Sequence, residues 1–98
     1  AIRKLLARTG VSIGEVDLWE INEAFASVPI AAVRTLGIDE ELVNPWGSGC
    51  SLGHPVAASG ARMLTTLSYE LSRRGSGLAV AAMCAGGGMA AAVLLSAN

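Results

Sequence analysis

The sequence has one histidine, only two cysteines and no excess of charge of either sign. Seven basic and eight acidic side chains give a formal net charge of −1, so nothing predicts a surface for the phosphate backbone of nucleic acid. Cys50 and Cys84 do not stand at metal-ligand spacing from His54 or from each other. We therefore predict neither a metal site nor a disulfide framework. The scarcity of cysteine also predicts a protein of a reducing compartment.

Neither a secretory signal nor an uninterrupted membrane segment is predicted from these residues. Basic side chains in residues 1–10 are not followed by an apolar run, so we predict a cytoplasmic protein. The hydrophobic run 78–95 is about long enough to cross a bilayer, but three glycines at 86–88 interrupt it. Each glycine costs a helix about 1 kcal/mol relative to alanine, which favours two buried strands joined by a glycine loop.

Hydrophobic spacing predicts one α/β layered domain with a mixed sheet, and 52% of the residues are hydrophobic. The predicted elements, in chain order, are a helix from Ile2, a strand at 16–21, a helix within 25–36, a very short strand at 43–44, a glycine-rich loop at 45–53, a helix from Pro55 to Arg74, and antiparallel strands at 78–84 and 89–96. Pro29 predicts a kink or a late start in the second helix. Small residues at 57–61 predict that the long helix is central and enclosed.

Polar groups suited to chemistry are concentrated at three predicted strand or loop ends, 22–25, 53–55 and 84–88. Ligands of open α/β sheets bind in the crevice beyond the strand ends, so we expect these segments to converge there. The glycines of 47–53 have the wrong spacing for a dinucleotide fingerprint, and nicotinamide binding is not predicted.

His54 directly precedes Pro55 at the predicted start of the long helix. The positive end of the helix dipole favours a neutral imidazole, which can accept a proton or donate one hydrogen bond. A capping or core histidine is the alternative. The glycines before His54 favour the chemical role, because they let backbone and substrate approach closely.

Cys84 ends an apolar strand and is followed, after Ala85, by three glycines. Glycine amides can point at a developing negative charge, which makes this thiol a candidate base; an inert packed cysteine is the alternative. Cys50 is not followed by such a run of glycines and is predicted to be structural. Asn22 is predicted either to cap the following helix or to hold a water or a ligand carbonyl.

Three motifs, NEAF at 22–25, GCSLGHPVAASGAR at 49–62 and CAGGG at 84–88, together resemble the C-terminal domain of thiolases in order and separation. The resemblance covers essentially the whole chain, residues 1–98. It implies a βαβαβαββ unit whose first strand, expected at the centre of the sheet, is missing. It also implies an absent N-terminal domain that carries the nucleophilic cysteine, so the 98 residues are expected to be inactive alone.

The resemblance implies a role for each matching residue. His54 would activate the nucleophilic cysteine and line an oxyanion hole, in which Asn22 holds a water. Cys84 would exchange a proton with the α-carbon of the acyl-CoA. The Gly86 amide would help bind the thioester oxygen of the acyl-enzyme.

By the same resemblance, Ala24 and Phe25 would lie along the substrate and pantetheine channel. The implied reaction is ping-pong acyl transfer between coenzyme A thioesters, by Claisen condensation or by thiolysis of 3-ketoacyl-CoA. The expected partners are coenzyme A, its acyl thioesters, the N-terminal thiolase domain and further copies in a homo-oligomer, with no cofactor. The alternative hypothesis is a non-catalytic binding domain that keeps the thiolase framework.

The sequence departs from the thiolase pattern beside these motifs. Trp46 stands where thiolases often have asparagine, and Ser48, Gly49 and Cys50 replace a glycine, an alanine and an aliphatic residue. Met89 replaces a glutamine. These positions leave the acyl-chain preference open.

Overall fold

A computed structural model describes all residues, 1–98, as a three-stranded sheet with helices on both faces. The elements are α1 (Ile2–Thr9), β1 (Leu18–Ile21), α2 (Ser27–Leu36), α3 (Gly49–Leu52), α4 (Val56–Arg74), β2 (Gly77–Ala85) and β3 (Met89–Ala97). Short 3-10 turns lie at Ile13–Glu15, Glu40–Leu42 and Gly86–Gly88. The predicted α/β class with a mixed sheet is confirmed.

The strands follow one another in the order β1-β2-β3. β1 pairs with β2 in parallel, from Leu18 opposite Ala79 to Ile21 opposite Ala82, and β2 pairs with β3 as an antiparallel hairpin. Each strand is hydrogen-bonded directly to the next, so no position remains between them for a further strand. The expectation that the missing strand belongs at the centre of the sheet is therefore wrong. The strand predicted at 43–44 is reduced to a single bridge between Val43 and Trp19.

Separate cores lie on the two faces of the sheet. The core on the side of α1 and α2 includes Ile2, Leu6, Trp19, Ile21, Val80 and Ala82. The core on the side of α4 consists of Leu18, Met63, Leu67, Leu71, Ala79 and Ala81. Successive strand side chains point to opposite faces, so Glu20 and Asn22 lie with Leu18 on the side of α4.

Local signals in the sequence explain several helix boundaries. α1 ends at Gly10 (φ 75°) and α4 at Gly75 (φ 86°), both in the left-handed conformation that glycine adopts without strain. α2 begins at Ser27, which confirms the predicted late start and places Pro29 in the first turn, where the N–H that proline lacks has no partner within the helix.

Two expectations about the segment before and within α4 are wrong. The glycine-rich stretch predicted as a loop contains the one-turn helix α3. The first turn of α4 is not enclosed by these 98 residues, because Val56 is 74% exposed and Ala57 and Ala58 are exposed as well. None of the helices combines the length and the apolar composition needed to cross a bilayer.

Candidate active site

The carboxyl ends of the parallel strands β1 and β2 meet at one edge of the sheet. Asn22, just beyond β1, donates its backbone N–H to the carbonyl of Ala82 at 2.9 Å. Cys84 lies two residues further along β2, about 7 Å away along the strand, and Gly86 begins the turn that follows. His54 approaches the same edge from the segment before α4.

His54 is held by the first turn of α4. Its Nδ1 lies 2.6 Å from the hydroxyl oxygen of Ser59, and that hydroxyl donates to the carbonyl of Pro55 at 3.1 Å. A serine hydroxyl has one hydrogen, so both contacts are satisfied only when the imidazole Nδ1–H donates to Ser59. This geometry assigns the ring proton to Nδ1 and leaves Nε2 of the neutral ring as a proton acceptor.

The carboxamide of Asn22 is fully buried against this imidazole. Its Nδ2 lies 3.4 Å from both ring nitrogens of His54. If Nδ2 lay in the plane of the ring at equal distances from both ring nitrogens, it would overlap the ring carbon Cε1 between them. The carboxamide must therefore lie above the face of the ring. Its Oδ1 has no hydrogen-bond partner. A buried polar atom without a partner costs about 1–3 kcal/mol, which makes this oxygen suited to a ligand donor.

Asn22 does not cap the following helix. The residue at the N-terminal cap of α2 is Ala26, and no side-chain hydrogen bond caps this helix. Of the two roles predicted for Asn22, only the one in which its carboxamide serves a ligand is compatible with this geometry.

A fully buried carboxylate, Glu20, lies on the same face of the sheet two residues before Asn22. Glu20 Oε1 accepts from Nη1 of Arg62 at 2.9 Å, and Glu20 Oε2 accepts from the hydroxyl of Ser48 at 3.4 Å. Arg62 Nη2 also donates to the Ser48 hydroxyl at 3.1 Å. Burial raises the pKa of Glu20 above its ordinary value, and the opposing effect of the Arg62 guanidinium is the smaller one.

A second polar cluster fastens the glycine-rich segment to the end of β1. The Asn44 carboxamide bonds both backbone groups of Ile21 at 2.8 Å and donates to Glu23 Oε1 at 3.2 Å. The backbone N–H of Cys50 donates to Glu23 Oε2 at 3.0 Å. The interaction with Glu23 raises the pKa of the Cys50 thiol, which lowers its reactivity and agrees with the structural role predicted for it.

Cys84 does not join the pair formed by Asn22 and His54. No hydrogen bond links its thiol to either residue, and it lines an apolar cavity between the sheet and helices α1 and α2. Alternation along β2 places Cys84 on the same face as Ala82, opposite to Asn22. The three groups expected in one cavity therefore share an edge of the sheet, but only Asn22 and His54 are in contact.

The remaining predicted site residues lie near this edge without a defined contact. Gly86 is exposed in the turn before β3, where Gly87 and Gly88 have φ values of 73° and 74°. Ala24 is half-buried, and Phe25 is 73% exposed. No group of three or more histidine, cysteine, aspartate or glutamate side chains is placed to hold a metal ion.

Sequence reasoning missed the residues that support His54. Ser59 and Arg62 were visible as polar positions at helical spacing beside Met63, which packs on the sheet. Glu20 was visible as a lone charge within a strand of buried residues. A charge at such a position predicts a buried partner, but not which residue supplies it.

Comparisons with known proteins agree in one assignment. Residues 1–97 match the family model described as thiolase, C-terminal domain. A probable acetyl-CoA acetyltransferase of Mycobacterium leprae is 50% identical over 97 residues, which are 99% of this chain and 25% of that protein. The cytosolic acetyl-CoA acetyltransferase of Mus musculus is 50% identical over 93 residues, covering 95% of this chain and 23% of that protein.

Among solved structures, human mitochondrial 3-ketoacyl-CoA thiolase in complex with CoA superposes with a TM-score of 0.95 at 41% identity. The match covers all of this chain and 25% of that one. The chain thus spans about a quarter of the length of the relatives that it matches.

Proposed function

The chain belongs to the thiolase family through its C-terminal domain, and from that premise we propose that it supplies the acid/base half of an acyl-CoA acyltransferase. The reaction would be Claisen condensation of acyl-CoA thioesters or thiolysis of a 3-ketoacyl-CoA. The observation that carries this proposal is the contact between two groups at the end of β1. Nδ1 of His54 is bound to Ser59, which leaves Nε2 as the ring nitrogen that can accept a proton, and the Asn22 carboxamide beside the ring has an unpartnered oxygen.

His54 would act as the base that activates a thiol. With Nδ1–H donating to Ser59, Nε2 takes the proton of a nucleophilic cysteine and becomes an N–H donor. In that protonated form the ring can donate to the oxygen of a thioester or an enolate. Asn22 lies against the ring and would hold the water that completes this oxyanion hole.

Cys84 would exchange the proton on the substrate's α-carbon. Its thiol lies on the other face of the sheet from Asn22, so the substrate must cross the strand edge between the tips of β1 and β2 to meet both residues. The Gly86 amide, just beyond Cys84, would bind the oxygen of the acyl-enzyme thioester. Ala24 and the exposed ring of Phe25 would give the pantetheine arm an apolar surface.

The proposal requires a partner domain. Residues 1–98 would act as a thiolase C-terminal domain, and the nucleophilic cysteine would come from an N-terminal thiolase domain in the same assembly. Coenzyme A and its acyl thioesters would be substrates, with no separate cofactor. We extend the proposal to a cytoplasmic location and a homo-oligomeric parent protein.

Reconstitution tests this function. The 98-residue chain is mixed with a separately produced N-terminal thiolase domain. Acetylation of the enzyme by acetyl-CoA, with release of coenzyme A, measures acyl-enzyme formation, and the loss of acetoacetyl-CoA in the presence of coenzyme A measures the carbon–carbon step. His54→Ala should abolish both acyl-enzyme formation and the carbon–carbon step. Cys84→Ser should impair the carbon–carbon step more than acyl-enzyme formation, and Cys50→Ser is the matched control with both steps retained.

Two results would contradict the assignment. Equal loss of both half-reactions in Cys84→Ser would remove the proposed role of that thiol. Binding of coenzyme A by the reconstituted protein without any turnover would favour the alternative, a non-catalytic binding domain.

A further inference from the structure

Ser48 interrupts the ion pair between the buried Glu20 and the half-buried Arg62. An arginine ordinarily meets a carboxylate through two parallel N–H···O bonds. Here only Nη1 of Arg62 reaches Glu20 directly, at 2.9 Å, and Nη2 donates instead to the Ser48 hydroxyl at 3.1 Å. That hydroxyl donates in turn to the second oxygen of Glu20 at 3.4 Å. The serine thus replaces one bond of the fork, and all three side chains form a closed ring.

The ring ties the segment before His54 to the sheet. Ser48 is fully buried, and its carbonyl accepts from the backbone N–H of Leu52 at 2.8 Å, so it also anchors the one-turn helix α3. Only Gly53, with a φ of 97°, separates that helix from His54. Ser48 is therefore connected to His54 through a single helical turn and one glycine.

The other two members of the ring adjoin the two groups that contact His54. Arg62 lies three residues after Ser59 on the sheet-facing side of α4, and Ser59 binds the imidazole Nδ1. Glu20 lies two residues before Asn22 on the same face of β1. One ring of hydrogen bonds therefore joins the strand that carries Asn22, the helix that carries Ser59 and the segment that carries His54.

We propose that Ser48 is a positioning residue for His54: its hydroxyl, held between Glu20 and Arg62, fixes the imidazole against the carboxamide of Asn22. The catalytic consequence rests on the function proposed above, whereas the geometric claim does not. Ser48 touches neither the imidazole nor the reacting atoms, so it acts only through the ring.

The geometric claim is tested by NMR on the 98-residue chain. His54 is the only histidine, so the imidazole signals in the spectrum belong to it without further assignment. The readout is the nuclear Overhauser effect between the His54 ring protons and the Asn22 side-chain amide protons, with amide spectra confirming that each variant is folded. Ser48→Ala should weaken this effect at least twofold.

Two further variants make the test specific. Ser51→Ala is the matched control, since Ser51 lies in the same helix and its hydroxyl makes only a 3.5 Å contact with the Ser48 carbonyl. Arg62→Lys keeps a positive charge for Glu20 but removes the second arm of the fork. It should therefore reproduce the weakening seen in Ser48→Ala, and it provides the test if that variant does not fold. The double variant should show no further weakening, because both changes break one connection.

Turnover supplies the second readout. In the reconstituted enzyme, Ser48→Ala should lower kcat about 10- to 100-fold with little change in KM, since a misplaced base slows chemistry without removing substrate contacts. Retention of the Overhauser effect in both Ser48→Ala and Arg62→Lys would overturn the proposal, as would an equal loss in Ser51→Ala or additive losses in the double variant. A wild-type enzyme without turnover that still shows the Ser48-dependent Overhauser effect would refute the proposed function alone.

Discussion

Helix α4 contributes arginines to two glutamate–arginine clusters, one with Glu20 of β1 and one with its own Glu70, and the pKa values of the two carboxyl groups are shifted in opposite directions. Near the start of the helix, burial raises the pKa of Glu20 in spite of its bond to Arg62. Near the end, hydrogen bonds from Arg73 and Arg74 lower the pKa of Glu70 to about 2. The same two residue types thus give a carboxyl group with a raised pKa beside the candidate site and one with a lowered pKa remote from it.

Loss of hydration is the largest effect on the pKa of Glu20, whereas hydrogen bonds from two arginines are the largest effect on the pKa of Glu70. The arginines also differ in their exposure to solvent. Arg73 is 71% exposed, so it keeps most of its hydration while it donates two charge-assisted bonds to Glu70, at 2.8 and 2.6 Å. Arg62 is only 27% exposed, and it divides its two donors between Glu20 and Ser48. The pair of Glu20 and Arg62 must offset a larger loss of hydration with fewer direct bonds, which agrees with the positioning role proposed for the ring around Ser48.

The largest effect expected is from Arg62→Met. It leaves a charged carboxylate buried without a counter-ion, and we expect a loss of about 3–5 kcal/mol in the free energy of unfolding. Arg73→Met should cost far less, since Glu70 keeps Arg74. Urea unfolding, followed by the fluorescence of the buried Trp19 in a Trp46→Phe background, measures both. Equal losses of unfolding free energy in the two variants would show that Arg62 is no more important to stability than Arg73, which would contradict this prediction.

An intermediate effect is expected from Glu20→Gln. The amide keeps the shape of the side chain but does not titrate, so the variant should lose the pH dependence that the raised pKa of Glu20 gives to the free energy of unfolding. Because the folded pKa of Glu20 is raised, the folded state binds more protons than the unfolded state just above pH 4.5. Wild-type stability should therefore fall as the pH rises through the folded pKa. The variant should lack this fall, and a fall of unchanged size would contradict the assignment to Glu20.

The smallest effect, and one of opposite sign in pH, is expected from Glu70→Gln. A pKa lowered from 4.5 to about 2 stabilises the fold above pH 4.5, and this stabilisation is lost as the pH falls from 4.5 towards 2. The variant should therefore show a shallower acid limb than the wild type in unfolding measured by circular dichroism. An acid limb as steep as that of the wild type would show that Glu70 does not contribute to it.

The sequence allowed the locally determined parts of the fold to be predicted. Gly10 and Gly75 end helices through their own backbone conformation, and Ser12 and Glu15 form a local capping box. The hairpin of β2 and β3 follows from two apolar runs around a glycine turn. The helix α3 was missed because four residues in a glycine-rich segment have no periodicity to detect.

The candidate site was predictable only where a motif or a strand end marked it. The pairing of His54 with Asn22 follows from the convergence expected of the motifs at the sheet edge. Cys84 points to the opposite face of the sheet from Asn22. The sequence could not predict this, because nearly all residues of β2 are apolar and show no alternation that would assign each side chain to a face. The ring around Ser48 joins side chains up to 42 residues apart, and no local pattern encodes their meeting.

The parallel pairing of β1 with β2 has a consequence for the order of assembly. The β2–β3 hairpin closes over a three-residue turn, whereas β1 must find its partner across about sixty residues of chain. The entropy lost on closing a loop grows with its length, so the hairpin should form early and β1 should dock late. Asn22 would then meet His54 only in the final stage of folding, and slowed docking of β1 would delay the appearance of the site without unravelling the rest.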